Sequence, residues 1–146
     1  MYLNIFLYII NMKHVACGIM LNSKNQVLMG KRHSNGPYPG IWEFPGGKLE
    51  QGETLEECVH REWDEELNLS IVIEKKLATI TSVTENNTTC HFFIGRILDL
   101  PNLKLNVHES IDFYYPNEIK QLNLFKGDDM IADMIEKAHL GLVPFS

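Results

Sequence analysis

Residues 47–69 read GKLEQGETLEECVHREWDEELNL, and this stretch decides the fold. Thr54–Leu67 carries strong helix formers at helical spacing, and Asn68 follows as a C-cap able to take the left-handed conformation. Advancing about 100° per residue puts Leu55, Cys58 and Val59 on one apolar stripe. Glu62 and Glu66 fall inside that stripe and Glu65 at its edge, while Glu57, His60, Arg61 and Asp64 turn toward solvent. Carboxylates thus stand where an inward face should remain apolar, although desolvation and mutual repulsion both oppose their ionisation there. Side chains at i, i+3 and i+4 can converge on one hard cation, and an all-oxygen set suits Mg²⁺ or Mn²⁺ better than zinc. The plainer alternative is a solvated acidic face held by salt bridges. Against it stand the interrupted stripe and the preceding Gly46-Gly47, where bare backbone can approach a ligand.

The same residues resemble the Nudix box: glycine, five residues, glutamate, seven residues, Arg-Glu, two residues, Glu-Glu, one residue, glycine. Gly47, Glu53, Arg61, Glu62, Glu65 and Glu66 all match. Six fixed positions at fixed spacing arise by chance on the order of once in 10⁷ starting points. Two positions depart: Trp63 is bulky for its apolar slot, and Asn68 replaces the last glycine. The flanking WEFPGG, Trp42–Gly47, resembles the MutT-like branch. The resemblance implies a Nudix fold and hydrolysis of a nucleoside diphosphate linked to another group. It implies that Glu62, Glu65, Glu66 and the Gly46 carbonyl hold divalent metal, and that Gly47, Glu53 and Arg61 brace the loop and helix. One of the helix glutamates would accept a proton from the attacking water. Glu109 is the nearest candidate for the further acid that such enzymes bring from a later loop.

Outward from the box, Val15–Leu21 and Gln26–Met29 read as an antiparallel strand pair about the turn Asn22–Asn25. Residues 33–47, with five Gly and Pro residues before Gly46-Gly47, read as a shaped loop. Ile71–Ile73, Leu77–Val83 and Thr89–Leu98 read as strands, the last two joined by a hairpin at Asn86-Asn87, and Leu122–Leu140 as a second helix entered near Lys126-Gly127-Asp128. This order favours an α/β (α+β) architecture, and with the resemblance an α/β/α sandwich around a mixed sheet. Residues 12–146 are expected to form one domain, with the apolar stretch 1–11 as an extension outside it.

The chain has 146 residues and a formal net charge of −6, a poor basis for gripping duplex nucleic acid. Nine of the nineteen acidic residues lie between Glu43 and Glu66, so the acidity is local. Three separated cysteines, Cys17, Cys58 and Cys90, argue against a disulfide framework and for a cytoplasmic setting. The 1–11 stretch is too short to cross a membrane.

For substrate, Arg32 and Lys48 match positions that meet phosphate in the MutT-like branch, against the alternative of ordinary surface charge. Phe44, His91 and Phe93 are candidates to line a base, against the alternative of core aromatics. Asp128 matches the place where such enzymes present Asn or Asp to a base edge, against the alternative of a helix N-cap. After the box no Pro lies between Leu69 and Pro101 and no Tyr between Leu69 and Tyr114, which counts against the marker patterns of ADP-ribose and dinucleoside-polyphosphate enzymes. The expectation is a Mg²⁺-dependent nucleoside triphosphate pyrophosphohydrolase, with Mn²⁺ as substitute, sanitising 8-oxo-dGTP or another non-canonical nucleotide. It would act as a monomer or homodimer, with no duplex nucleic acid and no membrane as partner. The rivals are hydrolysis of another conjugate, such as capped RNA or a dinucleoside polyphosphate, and a nucleotide-sensing module that has lost catalysis.

Overall fold

A computed structural model describes residues 12–82 and 87–139. The 1–11 extension, Val83 and Asn86 of the expected strand and hairpin, and Leu140 at the end of the expected helix lie outside the described residues. Five strands form the main path of the sheet: β1 (Lys13–Leu21), β2 (Val27–Lys31), β3 (Trp42–Glu43), β5 (Ile71–Ser82) and β6 (Thr88–Ile97). Two more, β4 (Gly46–Lys48) and β7 (Ser110–Tyr114), pair off this path with β1 and β2. The order along the path is β3-β2-β1-β6-β5. β1 and β6 run parallel and the remaining pairings are antiparallel, so the sheet is mixed.

Strand alternation divides the core between the two faces of the sheet. Ala16, Met20, Leu28 and Phe93 pack with Cys58, Val59, Trp63 and Leu67 of helix α1 (Leu55–Leu67). Ile19, Leu21, Val27, Met29, Phe92 and Ile94 pack with Ile131, Ala132 and Ile135 of helix α2 (Asp128–His139). The result is the expected α/β/α sandwich.

Helix α1 forms where its local signals place it. Thr54 Oγ1 accepts the Glu57 N–H at 3.1 Å and Glu57 Oε1 accepts the Thr54 N–H at 3.3 Å, a reciprocal capping box. Asn68 closes the other end at φ 55°, its N–H donating to the Asp64 carbonyl. The stripe geometry needs one correction. Trp63 is more than a bulky departure: it continues the buried face as Cys58-Val59-Trp63-Leu67, and its indole Nε1 donates to the Pro45 carbonyl at 2.9 Å.

Other differences come from pairing over long range. Over the described residues the two expected strands, Ile71–Ile73 and Leu77–Val83, are one strand ending at Ser82, with register shifts at Ile73/Lys75 and Lys76/Ala78. The Gly/Pro loop holds two short strands, β3 and β4, and β7 is a strand that the sequence pattern does not announce. Residues 122–127 are not helical. There Leu124 bridges Trp42, and the Trp42 N–H donates to the Asn123 carbonyl, so helix α2 starts at Asp128.

Candidate active site

β1 has two antiparallel partners at different heights, β4 along Val15–Cys17 and β2 at Leu21, and the edge of α1 lies over β4. The close approach depends on glycine. A Cβ on Gly46 would strike the Ala16 carbonyl, and one on Gly47 would run into the Glu62 carboxyl group. The two glycines therefore let β4 press on β1 and let Glu62 lie flat against the strand.

Arg61 organises the outer rim. The helix wheel turns it toward solvent, yet its side chain is only 22% exposed because four carboxylates and a carbonyl surround it. Its Nε and NH2 hold both oxygens of Glu53 at 3.0 and 2.7 Å, and NH1 meets Glu62 at 2.9 Å, Glu65 at 3.2 Å and Glu50 at 3.5 Å. NH2 also donates to the Lys48 carbonyl at 3.0 Å, tying the helix to the end of β4. Hydrogen bonding to Arg61 and to the Glu50 N–H holds the Glu53 carboxyl down at about 2. Glu65 is thereby drawn outward, its side chain 58% exposed. Of the three glutamates expected to share a cation, Glu62 and Glu66 come together and Glu65 lies on Arg61. Among the described residues no three acidic, His or Cys side chains are assembled as a ligand set.

Glu66 is the opposite case. Burial, then the charges of Glu62 and Glu43, push its carboxyl up to about 8. Its Oε2 is buried without a hydrogen-bond partner. A half-buried acid facing the charges of Glu62 and Glu43, with one orphaned oxygen, leaves a carboxyl group that a divalent cation could compensate. The residues present therefore fit an oxygen-liganded ion.

Glu43 is one of the local acids to which the sequence pattern assigns no role. Its carboxylate accepts Arg32 NH1 at 3.1 and 3.4 Å and faces His108 Nε2 at 3.4 Å. Its charge also reaches Asp128, which burial and then Glu43 raise to about 7, and Cys17, which burial and then Cys90 push up. Glu43 thus links the Glu66 side of the cleft to the start of α2. A strand too short to show periodicity conceals it.

The remaining expectations divide. Arg32 lies in the cleft, its Nε donating to the Pro37 carbonyl and its guanidinium 5.8 Å from the ring centroids of Tyr38 and Phe125. The Lys48 side chain is exposed at the end of β4. Glu109 is held by Ser34 N–H and Oγ, at 3.4 and 3.2 Å, with Lys31 at 3.7 Å, and these partners lower its carboxyl. Two aromatic expectations are corrected. Phe44 is 2% exposed and packs edge-on against Phe92, and Phe93 is 1% exposed beneath α1, so neither offers a face to a base. His91 bonds His14 at 3.0 Å and Lys76 at 2.8 Å instead.

The NUDIX domain family matches residues 12–143, and the chain belongs to the Nudix family of pyrophosphohydrolases. Within it the chain is MutT-like. It is 34% identical over 82 residues to the 8-oxo-dGTP diphosphatase of Proteus vulgaris, spanning 56% of this chain and 73% of that one. It is 38% identical over 122 residues to the ADP-ribose pyrophosphatase of Methanocaldococcus jannaschii, 82% of this chain and 71% of that one. The MutT protein of Methanosarcina mazei Go1 shares the fold at TM-score 0.73 and 23% identity, covering 89% of this chain and 94% of that one. No helix among the described residues is long and apolar enough to cross a membrane.

Proposed function

We propose that the protein is a Mg²⁺-dependent nucleoside triphosphate pyrophosphohydrolase that clears 8-oxo-dGTP or another non-canonical nucleotide from the cytoplasmic pool. The observation that carries the reading is Glu66, half-buried beside Glu62 and Glu43 with a buried oxygen, Oε2, that has no hydrogen-bond partner. Glu62, Glu66 and the Gly46 carbonyl would hold the ion, and Glu65 would join them only by leaving Arg61. When bound, Mg²⁺ offsets phosphoryl charge and lowers the pKa of water, and Mn²⁺ would substitute. The protein's own residues do the rest. Arg61 and Glu53 lock α1 to β4, so that Glu62 and Glu66 face one spot. A helix glutamate accepts the proton of the attacking water, and Glu109 is the second candidate for that task. Arg32 and Lys48 receive phosphate oxygens. Asp128 at the start of α2 addresses a base edge, as an acceptor when ionised and as a donor when protonated, which its raised pKa allows near neutrality.

The similarity to the Methanocaldococcus protein supports a second reading, a nucleotide conjugate of the ADP-ribose kind, despite the missing marker Pro and Tyr. One screen separates them. Mg²⁺-dependent hydrolysis is measured over canonical, 8-oxo and methylated triphosphates, ADP-ribose, dinucleoside polyphosphates and capped RNA, with Glu65→Gln and Glu66→Gln as blanks. The first reading expects the highest kcat/KM on a modified triphosphate, and equal rates in wild type and both blanks would sink it.

A further inference from the structure

His108 is a deeply buried polar side chain that the proposed mechanism leaves without a task. It is 4% exposed, and its Nδ1 has no hydrogen-bond partner. Its ring lies on Gly30 of β2, where a Cβ would collide with Cδ2 and Nε2. Gly30 is also the register partner of Glu43 on β3, so the imidazole crosses from one strand to the carboxylate of the next. There Nε2 stands 3.4 Å from Glu43 Oε1, the same oxygen that Arg32 NH1 binds at 3.1 Å. A carboxylate accepts, so Nε2 is the ring nitrogen placed to donate to it, and Nδ1 is left without a partner. A phenylalanine of similar volume would fill this space with no unsatisfied nitrogen, so packing alone gives no reason for histidine.

The surroundings show what the contact acts on. His108, Glu43, Arg32 and Pro37 line one cavity of about 180 Å³. The Arg32 guanidinium is fixed on one side by the Pro37 carbonyl and on the other by Glu43. Glu43 in turn has Arg32 and His108 as its hydrogen-bonding and ion-pairing partners. The loop that presents His108 is itself fastened to the catalytic helix. The Asn106 side-chain amide donates to the Glu65 carbonyl, the Asn106 N–H to that of Glu66 and the Lys104 N–H to that of Leu67.

We propose that His108 is a positioning residue: by holding Glu43 Oε1 it fixes the direction in which Arg32 presents its guanidinium to the phosphate groups of the substrate. This rests on the proposed phosphate role of Arg32. A guanidinium that must find its orientation anew loses substrate binding before it loses chemistry, so the signature is in KM.

The test is steady-state kinetics on the best triphosphate from the screen, comparing wild type with His108→Phe, His108→Gln, Glu43→Gln, Arg32→Ala and the His108→Phe/Glu43→Gln double variant. Phenylalanine keeps the packing and removes the donor, while glutamine restores a donor. Expected is a KM raised about tenfold in His108→Phe with kcat within about twofold, substantial recovery in His108→Gln, and no further effect of His108→Phe when it is added to Glu43→Gln. A wild-type KM in a folded His108→Phe protein, or additive effects in the double variant, overturns the proposal. Should the His108→Phe variant not fold, the His108→Leu/Glu43→Gln cycle, in which leucine also removes the donor, decides by the same criterion of non-additivity. An unchanged KM in Arg32→Ala would instead overturn the phosphate reading on which the proposal rests.

Discussion

Glu53, just before helix α1, and Glu66, in its last turn, belong to the same box and are the same residue type, yet the fold drives their carboxyls in opposite directions. Glu53 meets Arg61 through both oxygens and is held near 2, while Glu66 meets Glu62, Glu43 and burial and rises to about 8. The difference shows that a cluster of acids is not one environment. Its rim is neutralised by an internal guanidinium and serves as a clamp, and its centre is left uncompensated, which is where the proposed function puts a divalent cation.

The strongest way to break this contrast is at its centre. Glu66→Gln is expected to lower Mg²⁺-dependent turnover by roughly 10²–10⁴-fold and to abolish the rise in melting temperature on adding Mg²⁺ or Mn²⁺. A retained thermal shift would place the ion elsewhere. Arg61→Lys attacks the rim: a lysine cannot reproduce the bidentate fork, so activity should fall roughly tenfold or more, with about 1–3 kcal/mol of stability lost in urea unfolding.

The pH dependence sharpens the contrast in the metal-free protein. The folded pKa of Glu66 is raised, so its contribution to stability is fully present below the unfolded value near 4.5 and is lost as pH rises through about 8. Chelator-treated wild type should therefore be less stable at pH 8 than at pH 5, by on the order of a few kcal/mol at most, and Glu66→Gln should flatten that slope. His91 works in the other sense. Its pKa is lowered to about 4, first by burial and then by Lys76 and His14. Its share of stability is present above about 6.5 and lost as pH falls toward 4, so His91→Gln should reduce acid sensitivity in that window. The smallest expected effect is Asn68→Gly, which relieves a left-handed non-glycine residue at φ 55°. It should change stability by no more than about 1 kcal/mol and, if the box glycine matters to catalysis, raise turnover.

The parts legible in the sequence are those set by neighbours along the chain. The helix over Thr54–Leu67, the Asn68 cap and the Glu62–Glu66 interruption all belong to one element, where spacing alone fixes geometry. β3 and β4 are two and three residues long, too short for any period, and exist because Gly30, Lys31 and Val15–Cys17 pair with them. Glu43 and His108 escape a sequence reading for the same reason: their meeting depends on two strands and a loop brought together from distant parts of the chain. Phe44 misleads because an aromatic in a Gly/Pro-rich loop reads as accessible, whereas this loop turns inward and buries it against Phe92. Helix α2 is read too far upstream because Leu122 and Leu124 continue an apolar helical pattern, but the backbone there is engaged with Trp42.

Lys104 and Asn106 occupy the carbonyl end of α1, supplying donors that the last turn of a helix lacks. The segment that carries His108 and Glu109 is therefore also the helix's terminal cap. A lineage cannot exchange this loop to gain a new substrate as if it were a detachable part. Any replacement must bring its own donors to the carbonyls of Glu65, Glu66 and Leu67, or the gain in selectivity arrives with the box helix frayed at its end.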